Sequence, residues 1–211
     1  MGGGDIAPQS VEEAAASLRA SRVSKLDGTR LQLGDARCLV LAAGLKHTTT
    51  VEELKLWKNG IGPEGIKSMA GVISSLPKLK MLNFYRNRLG DSGTDILVNS
   101  LAAGRCQLRS LWLGDNKIET FPEALLHLSS LQKLHLNENR LETVPAALSR
   151  MPCLTLVDLD NNPLVGIPGD MYMRGLTRMP GPRWELLAKF LSSQLDDGAQ
   201  DEAEERASSA Q

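Results

Sequence analysis

The sequence predicts an α/β solenoid: a curved parallel sheet on the concave side, helices on the convex side of the N-terminal repeats, and a helical cap at each end. Two observations lead to this prediction. A pattern of apolar positions with one asparagine recurs in the same register along the chain, and amphipathic helical segments flank the repeats on both sides. The 211 residues, 42 % of them hydrophobic and 23 % charged, suffice for one domain with a sizeable core.

The repeat reads apolar-x-x-apolar-x-apolar-x-x-Asn-x-apolar. Its copies begin at Val51, Leu79, Leu108, Leu131 and Leu154, and a degenerate copy begins one period earlier at Val23. The asparagines at its ninth position are Asn59, Asn87, Asn116, Asn139 and Asn162. Alternation at positions 4 to 7 predicts a short strand with residues 4 and 6 pointing inward. We therefore predict about six stacked repeats over 23–165, with a structural ladder of asparagines that bond the backbone of the bends.

In this motif, which is highly specific, the chain resembles the leucine-rich repeat family. The spacing from the start of one copy to the start of the next is 28 and 29 residues for the first two full copies, and 23 residues for the third and the fourth. The longer copies resemble the ribonuclease-inhibitor-like class of repeat, and the return segments 35–45, 63–76 and 91–103 are predicted to be helical. The shorter copies carry Pro122 and Pro145, which disfavour a full helix. The resemblance thus implies a hybrid horseshoe.

Both ends of the repeat array need a cap, because a solenoid otherwise exposes its core. Residues 1–22 are predicted to be an N-terminal segment and capping helix, since Ser10 and Glu13 form a capping box. Gly2-Gly3-Gly4 precedes no predicted strand and is interpreted as a flexible terminus. Residues 166–195 are predicted to be the C-terminal cap, with an apolar helical face from Trp184 to Leu195. Residues 196–211 are acidic and are predicted to be a disordered tail.

Composition argues against several classes of function. The formal net charge is -1, so a strongly basic nucleic-acid binder is not expected. The chain has neither a long apolar run nor a signal-peptide pattern, which predicts a cytoplasmic protein without membrane contact. Cys38, Cys106 and Cys153 form no Cys-x-x-Cys pair, so we expect buried structural thiols rather than a metal site. No phosphate-binding loop occurs, and no cofactor is expected.

The exposed strand positions predict a binding surface on the concave face. Trp57, Tyr85 and Trp112 fall on outward positions of three adjacent repeats, and clustered exposed aromatics are typical of interface hot spots. The other predicted partner-binding residues are Lys55, Lys58, Arg86, Arg109, His135 and Asp158. Of these, Lys58, Arg86 and Arg109 are expected to form a basic side of the aromatic patch. This face is basic in the early repeats and acidic in the later ones, which would orient a protein partner. The alternative is that the aromatic rings only pack along the sheet.

His135 and Asp158 share one lateral row, and a histidine beside an aspartate can act as an oriented base. Neither serine nor cysteine occupies an adjacent outward position, so a surface pair or a partner contact is the favoured interpretation and no catalytic residue is predicted.

The sequence therefore predicts a non-catalytic protein–protein interaction module. We expect a cytosolic adaptor, scaffold or regulatory subunit that binds a protein partner on its concave face and is a monomer outside its complex. Two alternatives stay open. The long helical repeats are similar to those of the activator of the nuclear-transport GTPase, which suggests a GTPase-activating protein of the leucine-rich-repeat type. A structural subunit of a cytoskeletal or ciliary assembly is the other.

Overall fold

The computed structural model describes residues 4–20, 22–168 and 185–194. They contain one seven-stranded sheet in which all neighbouring strands are parallel and follow chain order. The strands are β1 (Gly4–Ile6), β2 (Val23–Asp27), β3 (Glu53–Lys55), β4 (Met81–Asn83), β5 (Ser110–Trp112), β6 (Lys133–His135) and β7 (Leu156–Asp158). Strictly sequential parallel order is the topology of a solenoid, which confirms the predicted fold class.

The register of the sheet follows the sequence repeat. Residues at the fifth position of the repeat pair with one another across the strands and form one lateral row: Asp27, Lys55, Asn83, Trp112, His135 and Asp158. The fourth position points inward, and Leu54, Leu82 and Leu111 are fully buried there. The degenerate first copy keeps this register, because Leu26 pairs with Leu54.

The return segments differ between the two halves as the spacing and the prolines predict. The helices are α1 (Val11–Ala20), α2 (Cys38–Leu45), α3 (Pro63–Ser75), α4 (Gly90–Ala103) and α5 (185–194). In the shorter repeats the returns are single 3-10 segments, Glu123–His127 and Ala146–Arg150, which directly follow Pro122 and Pro145. Helices α1 to α4 pack against one another in chain order, so each repeat contacts its neighbours.

A Leu-Gly-Asp sequence at 33–35, and again at 89–91, links its repeat to the next repeat along the chain. Asp35 Oδ1 accepts hydrogen bonds from the backbone N–H groups of Gly62 (2.6 Å) and Gly65 (3.0 Å) at the start of α3. Asp91 Oδ1 accepts two equivalent bonds from the backbone of Glu119 and Thr120 in the following repeat. Each aspartate therefore supplies the acceptors that the first N–H groups of the next return segment lack.

The asparagine ladder is buried, with exposed fractions of 0 to 8 % for its five members. Asn139 shows the pattern: its Nδ2 donates to the carbonyls of Leu136 and Leu113, and its Oδ1 accepts from the N–H groups of Asn116 and Ile118. The residue before each ladder position has a left-handed backbone, with φ between 51° and 59° in all six copies. This conformation costs a non-glycine residue roughly 1–2 kcal/mol, and the ladder bonds hold the bend in place.

The N-terminus departs from the prediction. Gly4–Ile6 is a strand that pairs in parallel with β2 and starts the sheet, so the interpretation of Gly4 as flexible terminus is wrong. The physical reason is that β2 leaves one row of backbone groups open on its outer side, and even a segment without apolar alternation can pair with them.

The capping helices lie where the sequence places them, as far as the described residues extend. In α1, Val11, Ala14, Ala15 and Leu18 are buried, and Ser10 Oγ accepts from the N–H of Glu13. Leu187 and Leu191 of α5 are 3 % exposed. Trp184, Leu195 and the tail 196–211 lie outside the described residues. None of the described helices is long and apolar enough to cross a membrane.

The three cysteines differ in exposure. Cys38 is buried in α2, and burial together with the charge of Asp35 raises the pKa of its thiol to about 12. Cys106 is half-buried, but Cys153 is exposed, so the prediction of buried thiols is wrong for Cys153. The short return before β7 ends at Arg150 and leaves the turn at Pro152 and Cys153 on the surface.

Candidate functional site

An open cavity of about 490 Å³ lies on the concave face. It brings together the three predicted aromatic residues with His135 and Asp158, and its lining residues are Trp57, Asn83, Tyr85, Trp112, Lys133, His135, Asn137, Leu156 and Asp158. The predicted residues Lys58, Arg86 and Arg109 do not line it. Lys55 lines a smaller cavity near β1, together with acidic side chains that include Asp5, Asp27 and Glu53.

Trp57 lies between a cation and a second aromatic ring. The guanidinium carbon of Arg30 is 5.0 Å from the centroid of the indole ring, within the range of a cation–π contact. The ring of Tyr85 is tilted by 50° against Trp57, with the centroids 6.2 Å apart. The indole N–H of Trp57 is buried and has no hydrogen-bond partner. Trp57 is thus held by its ring faces while its polar group stays unsatisfied.

Tyr85 reaches across the neighbouring repeat. Its hydroxyl donates to Glu138 Oε1 at 2.6 Å, although Glu138 belongs to the second repeat further along the sheet. The ring passes over Gly114, where a Cβ atom would lie 2.7 Å from two ring carbons of Tyr85. Gly114 therefore makes room for the tyrosine. Burial of the phenol and its hydrogen bond to Glu138 raise the pKa of Tyr85 to about 12.

Trp112 covers the imidazole ring of His135. The two rings are stacked with centroids 4.1 Å apart, and the Trp112 indole N–H donates to Ser110 Oγ at 2.9 Å. His135 Nδ1 is 3.3 Å from Asp158 Oδ2. The two residues are only 8 % and 6 % exposed, so the interpretation as a surface pair is wrong. The sequence pattern places both side chains on the outer face of the sheet, but the stacked indole shields the imidazole from solvent.

The contact with Asp158 orients the imidazole ring on which Trp112 stacks. Among the described residues that line the cavity, none is Ser, Thr or Cys.

The predicted basic side of the aromatic patch is split in two. Lys58 and Arg86 follow their strands, whereas Arg109 precedes β5, so they lie at opposite ends of the strands. Arg86 is also paired with Asp115 at 3.0 Å. The expectation that Lys58, Arg86 and Arg109 form one basic side is therefore wrong, because positions 2 and 8 of the repeat are separated by the whole strand.

Comparison with known proteins agrees with this architecture. Two models for leucine-rich repeats match the chain, one over residues 106–164 and the other over residues 47–70. The chain is a leucine-rich-repeat protein. Both matched segments fall inside the repeat array, and the match over residues 47–70 covers the start of the first full copy, which begins at Val51.

Relatives of this leucine-rich-repeat protein are larger. Ribonuclease inhibitor of Sus scrofa is 34 % identical over 106 residues, which is 49 % of this chain and 23 % of the relative. NACHT, LRR and PYD domains-containing protein 12 of Homo sapiens is 31 % identical over 104 residues, which is 48 % of this chain and 10 % of the relative. The chain thus spans less than a quarter of the length of these relatives.

A similar solved structure is the LRR ectodomain of the plant membrane receptor kinase GASSHO1/SCHENGEN3 from Arabidopsis thaliana, in complex with CASPARIAN STRIP INTEGRITY FACTOR 2. It has 20 % sequence identity and a TM-score of 0.41, and the match covers 75 % of this chain and 17 % of that chain.

The site residues predicted from the sequence of this leucine-rich-repeat protein leave out four that line the cavity, Asn83, Lys133, Asn137 and Leu156. They also leave out Gly114 and Glu138, which contact Tyr85. Gly114 carried a usable signal, because it is a glycine at an outward strand position next to a repeat that holds Tyr85 at the equivalent place. The contact between Tyr85 and Glu138 carried none, since it joins residues 53 positions apart in different repeats.

Proposed function

We propose that this chain is a non-catalytic protein-interaction module that holds a protein partner on its concave face. One observation carries the proposal: Trp57, Tyr85 and Trp112 line a single open cavity and stay partly exposed there. The chain has only three Trp and two Tyr, so this clustering uses most of its large amphipathic rings. Half-buried aromatic rings at an open surface are the residues that carry most binding energy at interfaces.

The packing between the rings is compatible with this role. Tyr85 is held by Glu138, and Trp112 is held by Ser110 and His135. Side chains that are already ordered lose little conformational entropy on binding, so the aromatic surface is preorganised for a partner. The name of the relative from Sus scrofa, ribonuclease inhibitor, also describes a protein that acts on another protein. A cytosolic adaptor or regulatory subunit is the form of module that we propose.

The proposal is tested by capture of binding proteins on the purified full chain. We expect Trp112→Ala to weaken partner binding by about 2 kcal/mol, which is roughly thirtyfold in Kd. Lys67→Ala is the matched control, because Lys67 is exposed on α3 on the convex side. Equal binding of the partner by Trp112→Ala and Lys67→Ala would refute the proposed surface.

A second variant separates binding from stability. Asn137 lines the cavity without a stacking contact, so Asn137→Arg obstructs the cavity while all three aromatic rings remain. We expect this variant to lose the partner and to keep the thermal midpoint of the native chain. A variant that binds normally with the arginine in place would move the interface away from the cavity.

A further inference from the structure

The concave cavity offers hydrogen-bond donors that the chain itself leaves unused. Asn83 Oδ1 accepts from the backbone N–H of Tyr85 at 2.8 Å, and its Nδ2 has no acceptor among the described residues. The indole N–H of Trp57 has no partner either. Lys133 has no carboxylate within 4 Å in the described parts of the chain. The Trp57 group is buried and out of reach of a ligand, whereas Asn83 is half-buried and Lys133 is exposed, so a ligand with acceptor groups can bond to these two donors in place of water.

The carboxylates of the site are already engaged. Asp158 lies against His135, and its Oδ1 also accepts from the backbone N–H of Asp160. Glu138 accepts from the Tyr85 hydroxyl.

Asn137 Oδ1 is left as an uncharged acceptor, since the Asn137 side chain bonds Glu138 through its Nδ2. Two reachable donor groups, Asn83 Nδ2 and Lys133, thus face this one amide acceptor, so the cavity favours a ligand that presents mainly acceptors.

The walls of the cavity are aromatic and close to neutral in charge. Trp112 stands beside Asn83 in the adjacent strand, and Tyr85 follows Asn83 by two residues, so rings flank the free amide on two sides. Among the lining residues one base, Lys133, is balanced by one acid, Asp158. The complementary ligand is thus uncharged, with apolar groups that pack on the aromatic rings and with exposed carbonyl groups.

We infer that the cavity binds an extended, proline-containing segment of the protein partner. Proline has a compact apolar ring and no N–H, so a proline-rich segment presents apolar surface and carbonyl acceptors. In the polyproline II conformation no internal hydrogen bonds consume these carbonyls, and aromatic-lined grooves recognise this conformation in other proteins. The carbonyls accept from Asn83 Nδ2 and Lys133 while the proline rings pack on Trp112 and Tyr85. This inference rests on the proposed function.

A cationic side chain is the competing ligand, since aromatic rings also attract cations. It fits the cavity less well, because Lys133 repels it and the free Nδ2 group of Asn83 is a donor. This difference gives the experiment its two arms: a polyproline peptide of about ten residues and an oligoarginine peptide of equal length.

The test titrates the full chain with each peptide and follows tryptophan fluorescence. We expect saturable binding of polyproline, with no saturable binding of a Gly-Ser peptide of equal length. Asn83→Asp is the decisive variant: it keeps the acceptor for the Tyr85 N–H and replaces the free donor by a carboxylate. We expect it to weaken polyproline binding by about tenfold or more at an unchanged melting temperature, while Lys67→Ala binds as the native chain does.

Three results would overturn the inference: no saturable polyproline binding at millimolar concentration, equal binding by Asn83→Asp, or tighter binding of oligoarginine than of polyproline. These results are distinguishable from failure of the proposed function. If polyproline does not bind but Asn137→Arg still abolishes partner capture, the concave face is the interface and only the ligand chemistry is wrong. If Asn137→Arg captures the partner normally, the concave interface falls as well.

Discussion

Replacement of Asn116 by alanine tests the ladder that holds the repeats together. Asn116 is fully buried, and its Nδ2 donates to the carbonyls of Phe84, Leu113 and Gly114 at 2.9 to 3.0 Å. Its Oδ1 accepts from the N–H of Leu89 at 3.4 Å. The side chain thus joins the bend of its own repeat to the bend of the preceding one.

The magnitude follows from what remains after the side chain is removed. The carbonyls of Phe84, Leu113 and Gly114 keep other donors, from Asn87, Asn139 and the backbone of Arg86. The Leu89 N–H loses the acceptor that the ladder gives it. The two hydrogens of the Asn116 amide account for two hydrogen bonds at about 1 kcal/mol each, and the unsatisfied N–H of Leu89 costs about 1 kcal/mol more. The expected loss in the free energy of unfolding is therefore about 3 kcal/mol. For a domain of this size that lowers the melting temperature by roughly 6–12 °C.

Urea unfolding and thermal melting measure this loss. Asn99→Ala is the matched control, because Asn99 is exposed on α4 and its side chain donates to the carbonyl of Asp95 within the same helix. We expect the control to change stability by no more than about 0.5 kcal/mol. If Asn116→Ala unfolds at the same urea concentration as Asn99→Ala, the ladder does not contribute to stability as argued.

Three further predictions concern single groups. Glu138→Gln should lower the pKa of Tyr85 from about 12 toward 10, because the carboxylate is lost while the burial of the phenol remains. Ultraviolet titration of tyrosinate measures this pKa. An unchanged titration would contradict the hydrogen bond between Tyr85 and Glu138. Because the raised pKa favours the protonated phenol, its contribution to stability is complete below pH 10 and is lost as the pH rises through about 12. Asp35→Ala should lower the free energy of unfolding measured in urea by about 1 kcal/mol, because the N–H groups of Gly62 and Gly65 lose their acceptor. A variant as stable as the native chain would show that water replaces the Asp35 carboxylate at these N–H groups. The exposed Cys153 should react with a thiol reagent in the folded protein, whereas the buried Cys38, whose pKa is raised, should react only on unfolding. Rapid labelling of Cys38 would show that α2 opens in the native state.

The sequence alone determined the repeat, its register and the inward and outward sides of the six repeat strands, β2 to β7. The reason is that a solenoid contacts mainly its neighbours, so the spacing of Leu and Asn within one copy specifies how the next copy stacks on it. The lateral row from Asp27 to Asp158 and the buried Asn59, Asn87 and Asn116 follow from that spacing. The prolines at 122 and 145 likewise determined where full helices stop, because proline removes a backbone donor within its own segment.

Only the tertiary structure decided what the outward side chains do to one another. Long side chains reach beyond the nearest strand, so Tyr85 passes over Gly114 to Glu138, and no pattern within a repeat encodes that reach. Stacking of Trp112 buries His135 although its position is outward, because a large ring removes solvent from its neighbour. The strand at Gly4–Ile6 also depends on its surroundings, since it forms on backbone groups that β2 leaves open. Short-range periodicity specifies the scaffold, whereas the chemistry of the concave face depends on the size and direction of side chains from repeats that are distant in the sequence.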